Sequence, residues 1–178
     1  ASLVLSYVAM RKDDKAGLVT FNEYFDTFVP ASKQVGQMQT LLENLYKQET
    51  TFGETDFSAL CGHLGKHVNK RSFLVLYTNF SNMTSLNRQL VYLQQLARQH
   101  RVLVVFFEDA DLKEYIAGKS VTTEDYYRHV IAEKFAFEKR LIVSTLKQHG
   151  IYSLLTTPDK LSIDVINKYL EMKSRQLL

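Results

Sequence analysis

The 178 residues are 46% hydrophobic and 23% charged, enough chain for one packed core and too little to expect a second. A net charge of +3, from 22 basic and 19 acidic residues, makes no field strong enough to gather nucleic acid or an anionic membrane surface. The single cysteine excludes an internal disulfide and suits a reducing, cytoplasmic setting, and no apolar run approaches the length of a membrane span.

The chain opens on ASLVLSYVAM, without an initiator Met, and Leu3, Val4, Tyr7 and Val8 already recur at helical spacing. The spacing predicts a chain that starts inside a helix, so a segment upstream is expected to be missing. Asp13 to Gly17 form a turn. LVTF (18–21) reads as a strand, and TFVP (27–30) pairs back on it as a hairpin. Pro30 has no N–H to give a ladder, which places the second strand at a sheet edge. A helix follows from about Val35, with Met38, Leu41, Leu42 and Leu45 on one face.

Thr55 or Asp56 caps the next helix, whose apolar stripe is Phe57, Leu60 and Leu64. FLVLYT (73–78) is apolar almost throughout, the mark of a strand covered on both faces. A helix over 85–99 and a second doubly buried strand, VLVVFF (102–107), come next. A short helix near 110–117 and a long one over about 123–148 follow, with Gly150 as the helix-ending glycine. YSLLTT (152–157) is a strand, and a helix over about 162–176 ends the chain. Strands alternating with helices of this length specify an α/β fold: an open, mostly parallel sheet in three layers with one antiparallel edge hairpin, as a single domain over 1–178. The basic clusters Lys66, Lys70, Arg71 and Arg98, His100, Arg101 read as solvated helix ends.

In open α/β sheets, ligands bind beyond the carboxyl ends of the strands. The candidates there are Thr20 to Asn22, Thr78 to Asn82, Glu108 to Asp111, and Thr156 with Thr157, joined by Thr55 if its loop lies on that side. Glu108, Asp109 and Asp111 are the only carboxylate cluster, and Asp109 also suits a helix cap. His63 and His67 stand four apart beside Cys61, too few ligands for zinc, and read as ordinary surface histidines. Pro158-Asp159 followed by Glu171-Met172-Lys173 imitates a metal-dependent nuclease pattern, but NKYLEMKSR is helical where that chemistry needs a strand. No phosphate-binding glycine loop and no nucleophile elbow is present.

DKAGLVTF (14–21), ASKQVGQMQTLLENLY (31–46), ETDFSAL (54–60), RSFLVLYTNF (71–80), SLNRQLVYLQQLARQHRVLVVFFED (85–109) and HGIYSLLTTPDKLSIDVINKYLEMKSR (149–175) together resemble the bacterial DUF58 family, a von Willebrand factor A-like (vWA-like) family. The resemblance implies a vWA or Rossmann-like sheet lacking its first strand, which would lie between LVTF and FLVLYT. The two neighbours should then close up, or a second copy should fill the edge as a homodimer through unpaired strands. It also implies a metal site built from an Asp-x-Ser-x-Ser motif, a loop threonine and a strand-end aspartate. Thr55 falls at the threonine position and Asn79 at the aspartate position, while the motif itself is not in this chain.

Replacing a carboxylate by a carboxamide removes a full charge from a ligand set meant for a hard cation, so no metal is expected here. Mg or Mn is expected only with the upstream segment. The function implied is that of a non-catalytic protein-interaction domain, with Thr55, Thr78, Asn79, Phe80 and Asn82 as the partner-binding surface. Phe80 reads equally as an apolar anchor and as a buried turn residue. The partner implied is a MoxR-type AAA+ ATPase, with no nucleic acid and no direct membrane contact, although membrane helices upstream of this domain are implied for the full-length protein. A second reading, from a different class, is a metal-dependent hydrolase or phosphotransfer enzyme using Glu108, Asp109 and Asp111.

Overall fold

The computed structural model describes residues 1–22, 25–48, 55–80, 82–108 and 123–178. The chain is α/β and forms two compact units, residues 1–70 with 162–176, and residues 71–161 with 177–178. The described strands make two sheets rather than the one expected, an antiparallel pair in the first unit and a parallel trio in the second. The difference follows from how each kind of pairing arises. A hairpin satisfies itself locally, whereas parallel strands need helical crossovers and assemble with the helices that supply them.

In the first unit, α1 (Ser2–Arg11) leads to β1 (Ala16–Phe21) and β2 (Phe25–Ser32). The two strands pair antiparallel, Leu18 opposite Val29 and Thr20 opposite Thr27, with a register shift between Ala16 and Leu18. Gly17 sits in that irregularity, and a Cβ there would lie 2.8 Å from both Ala31 N and Val29 O. Only glycine admits so close an approach of the partner strand. The Gln37 side-chain amide, at the start of α2 (Gln37–Tyr46), donates to Ala16 O at 2.8 Å and Pro30 O at 3.0 Å, serving carbonyls of both strands.

Ala16, Val29 and Leu41 form the buried cluster beneath, with Leu3, Met10, Leu18 and Met38 against it. α1 buries no residue completely, and Val4 and Tyr7 remain exposed. Asp56 caps α3 (Phe57–His67) by accepting from Ser58 N and Ala59 N, which decides between the two expected caps. Phe57, Leu60 and Leu64 are buried as their spacing predicts, together with Cys61.

In the second unit, β3 (Phe73–Tyr77), β4 (Arg101–Phe107) and β5 (Tyr152–Thr156) lie parallel in that order. α4 (Met83–Gln99) lies in the first crossover and α5 (Thr123–Gln148) in the second. The central strand buries Val102 to Phe106 without interruption. The reading of β3 as equally buried is corrected. Among the described strands it pairs with β4 alone, only Leu76 is fully buried, and Tyr77 is exposed. Gly150, at φ +71, stops α5 where the glycine predicted a stop. The last helix, α6 (Leu161–Ser174), belongs from Ser162 onward to the first unit and buries Val165, Tyr169 and Met172.

His100 also departs from the sequence reading. It caps α4 and is 2% exposed, with its Nδ1 accepting from Ser72 N at 3.3 Å. That bond assigns the proton of the neutral ring to Nε2, and burial holds the pKa below its ordinary value.

Two predictions follow from this packing. Gly17→Ala is expected to destabilise the chain by about 1–3 kcal/mol, measured by urea unfolding, because backbone must move to admit the Cβ. Burial disfavours the protonated ring in the folded chain, so the His100 contribution is present above the unfolded value near 6.5 and is lost as pH falls through it toward the lower folded value. The midpoint of urea unfolding should therefore drop between about pH 7 and pH 5, and His100→Gln should flatten that slope.

Candidate functional site

The carboxyl ends of β3, β4 and β5 form one rim of the second unit. The ladder runs one residue past the strands on both sides of β4. Thr78 N donates to Val105 O and Glu108 N donates to Thr156 O, each at 3.0 Å. Beyond β3 the chain turns through Asn79 and Phe80 into α4. Asn79 is exposed, but Phe80 is only 3% exposed and packs edge-on against Phe106 with ring centroids 6.4 Å apart. Of its two sequence readings, burial agrees with the turn residue packed into the core.

Asn82 ends the turn as the N-cap of α4. Its Oδ1 accepts from Ser85 N at 2.9 Å, and Asn82 N donates back to Ser85 Oγ at 3.3 Å. The pair forms a reciprocal capping box, so the helix uses the polar groups of Asn82.

The residue that organises the rim was not among the candidates. Lys139 of α5 donates from Nζ to Asn79 Oδ1 at 2.9 Å and to Phe80 O at 2.6 Å. The same ammonium stands 5.6 Å from the centre of the Phe106 ring, within range of a cation–π contact. Burial pushes the Lys139 pKa below its ordinary value. A signal for this residue does exist in the sequence: Ala132, Lys139 and Leu146 are spaced by sevens, and both flanking residues are buried. A lysine on the apolar stripe of a helix needs acceptors beneath it.

The other candidates are distributed more widely. Thr156 is buried. The Thr157 hydroxyl, followed by the turn backbone, holds the exposed Asp159 carboxyl below its usual range. Ser81, Asp109, Asp111 and the helix expected near 110–117 lie outside the described residues. Thr55 and the Thr20 to Asn22 segment belong to the first unit, where Asn22 O accepts from Asp56 N at 2.8 Å. His67 stacks on His63 and tilts against Phe28, and no group of three His, Cys, Asp or Glu among the described residues could hold a metal. Glu171 is helical as predicted and pairs with Lys168 and Arg175.

Residues 1–123 match the family described as protein of unknown function DUF58. The chain belongs to the DUF58 family. No curated protein and no solved structure matches it. The match ends where α5 begins, so the part of this DUF58 chain that carries Lys139 lies beyond the matched span.

A divalent ion at the DUF58 turn would have to take the Asn79 oxygen from the Lys139 ammonium that already occupies it. A neutral amide beside a fixed positive charge fits a hard cation poorly, because the ammonium repels the ion and position 79 carries no carboxylate to balance its charge. Among the described residues, no helix is long and apolar enough to cross a membrane.

Side-chain deletions should separate the surface from the core at this turn. Phe80→Ala is expected to cost about 3–5 kcal/mol of stability, the range for emptying a buried phenylalanine site. Asn79→Ala removes one hydrogen bond at an exposed position and should cost about 1 kcal/mol or less. Chemical denaturation of the two variants checks both values.

Proposed function

We propose that this DUF58 chain is a non-catalytic, vWA-like protein-interaction domain whose strand-end turn recognises a partner without a metal ion. The observation that carries this reading is the Lys139 ammonium bonded to both Asn79 Oδ1 and Phe80 O. A tethered cation supplies positive charge at the place where the family resemblance implies a metal. It does so without ligands that must be loaded or lost. Among the described residues of the turn, Asn79 and Asn82 are exposed and Thr78 is half-buried, polar groups suited to a protein surface. The family resemblance supplies the expected partner, a MoxR-type AAA+ ATPase.

The test is a binding titration of the 178-residue chain against the MoxR-type ATPase of the same organism, with and without EDTA. Saturable binding that EDTA leaves unchanged is the expected outcome. Asn79→Arg, which places bulk and charge on the exposed turn, should weaken it about tenfold, equivalent to about 1.4 kcal/mol. Absence of binding would remove the ATPase as partner, and loss of binding in EDTA would overturn the metal-independent mechanism.

A further inference from the structure

α5 carries more apolar surface than the second unit covers. Its inner face buries Ala132, Ile142 and Leu146, although Phe135 on the same side is 50% exposed. A second stripe lies on the opposite side. Tyr126, Val130, Phe137 and Leu141 fall within one narrow sector of the helix, and Tyr127 and Ile131 extend it along one flank. Tyr127 is 72% exposed and Phe137 59%, and the other four are between 40% and 63% exposed.

At about 150–250 Å² for each aromatic side chain, with the aliphatic residues added, these six groups present on the order of 600 Å² to water. That is as large as the largest apolar patch of a typical monomer, and close to the roughly 800 Å² that each partner contributes to a standard interface.

The charges beside the stripe identify what covers it. Glu133 and Arg140 lie along one flank, Lys134 and Glu138 along the other. When two identical helices pack antiparallel, each flank meets its own copy. Glu133 then stands opposite Arg140 of the partner subunit, and Lys134 opposite Glu138 of the partner subunit. The same alignment sets Val130 against Leu141 of the partner subunit and Phe137 against the partner's Phe137. All four pairings share a midpoint within about one residue of Ala136, so one two-fold axis satisfies them together.

We propose that α5 is a homodimerisation helix, pairing antiparallel with α5 of a second copy about an axis near Ala136. This interface uses no strand edge and does not depend on the partner proposed for the strand-end turn.

Sedimentation velocity of the 178-residue chain over a range of concentrations tests the proposal. The chain should dimerise, and Val130→Glu, at an exposed position, should weaken dimerisation by about a hundredfold or more while circular dichroism remains unchanged. Glu133→Arg should weaken it about three- to tenfold by facing like charges across the axis. The double variant E133R/R140E restores every symmetric pair and should recover the original dimer. A chain that stays monomeric at all concentrations overturns the proposal, as does a dimer indifferent to Val130→Glu or an E133R/R140E variant no better than Glu133→Arg. A monomer that co-sediments with anionic phosphatidylglycerol vesicles through this stripe would assign the face to a lipid surface and overturn it as well.

Discussion

The second unit rests on the burial of β4. Five consecutive residues, Val102 to Phe106, are closed off from water, so every backbone N–H and C=O among them needs a partner within the protein. Parallel neighbours on both sides provide those partners, and each neighbour is reached only through a long crossover that carries a helix. Covering the two faces of β4 is therefore the same event as pairing its two edges. The constraint also shapes the rim, because Phe106, at the end of the buried run, is the surface on which Phe80 packs and over which Lys139 stands.

A different constraint closes the first unit. Its strands meet at a bulge that tolerates no side chain at position 17, and its last helix comes from the far end of the chain. Tyr169 donates to Asp14, and Lys173 donates to Asp14 Oδ2 at 2.5 Å and to Lys12 O at 2.9 Å. Burial raises the Asp14 carboxyl, but the Lys173 and Tyr169 hydrogen bonds outweigh it and hold the group below its usual range. Tyr169 responds in the opposite direction, raised first by burial and then by Asp14. α6 lies beyond the span that matches the DUF58 family, yet its Val165, Tyr169 and Met172 are buried as fully as any core residue.

Legibility in the sequence followed the range of the interaction. The helices and strands were readable because periodicity, caps and glycine stops act within a few residues. Phe57, Leu60 and Leu64 share a face by spacing alone, and Gly150 ends α5 through its own backbone conformation. The half-exposure of β3 was not readable, because an apolar strand has the same composition at a sheet edge as at the centre. His100 looked like part of a solvated basic cluster beside Arg98 and Arg101. It is buried instead, and its ring accepts from Ser72, a residue 28 positions away. The candidate turn divided in the same way: Asn82 carried a local cap, while the role of Asn79 was set by a lysine 60 residues further on.

By itself the sequence determined the α/β class, the order and approximate limits of the described elements, and the absence of a carboxylate at position 79. Each of these depends on residue type and near-neighbour spacing, which the chain carries wherever it folds. Tertiary structure alone decided how the strands divide into two sheets, that Phe80 belongs to the core, and that the Asn79 oxygen is engaged by the Lys139 ammonium. Those outcomes depend on which distant groups are brought within hydrogen-bond or van der Waals reach, and the energies involved fall away within a few ångströms. Spacing along the chain does not encode such proximity until burial of apolar surface has folded it.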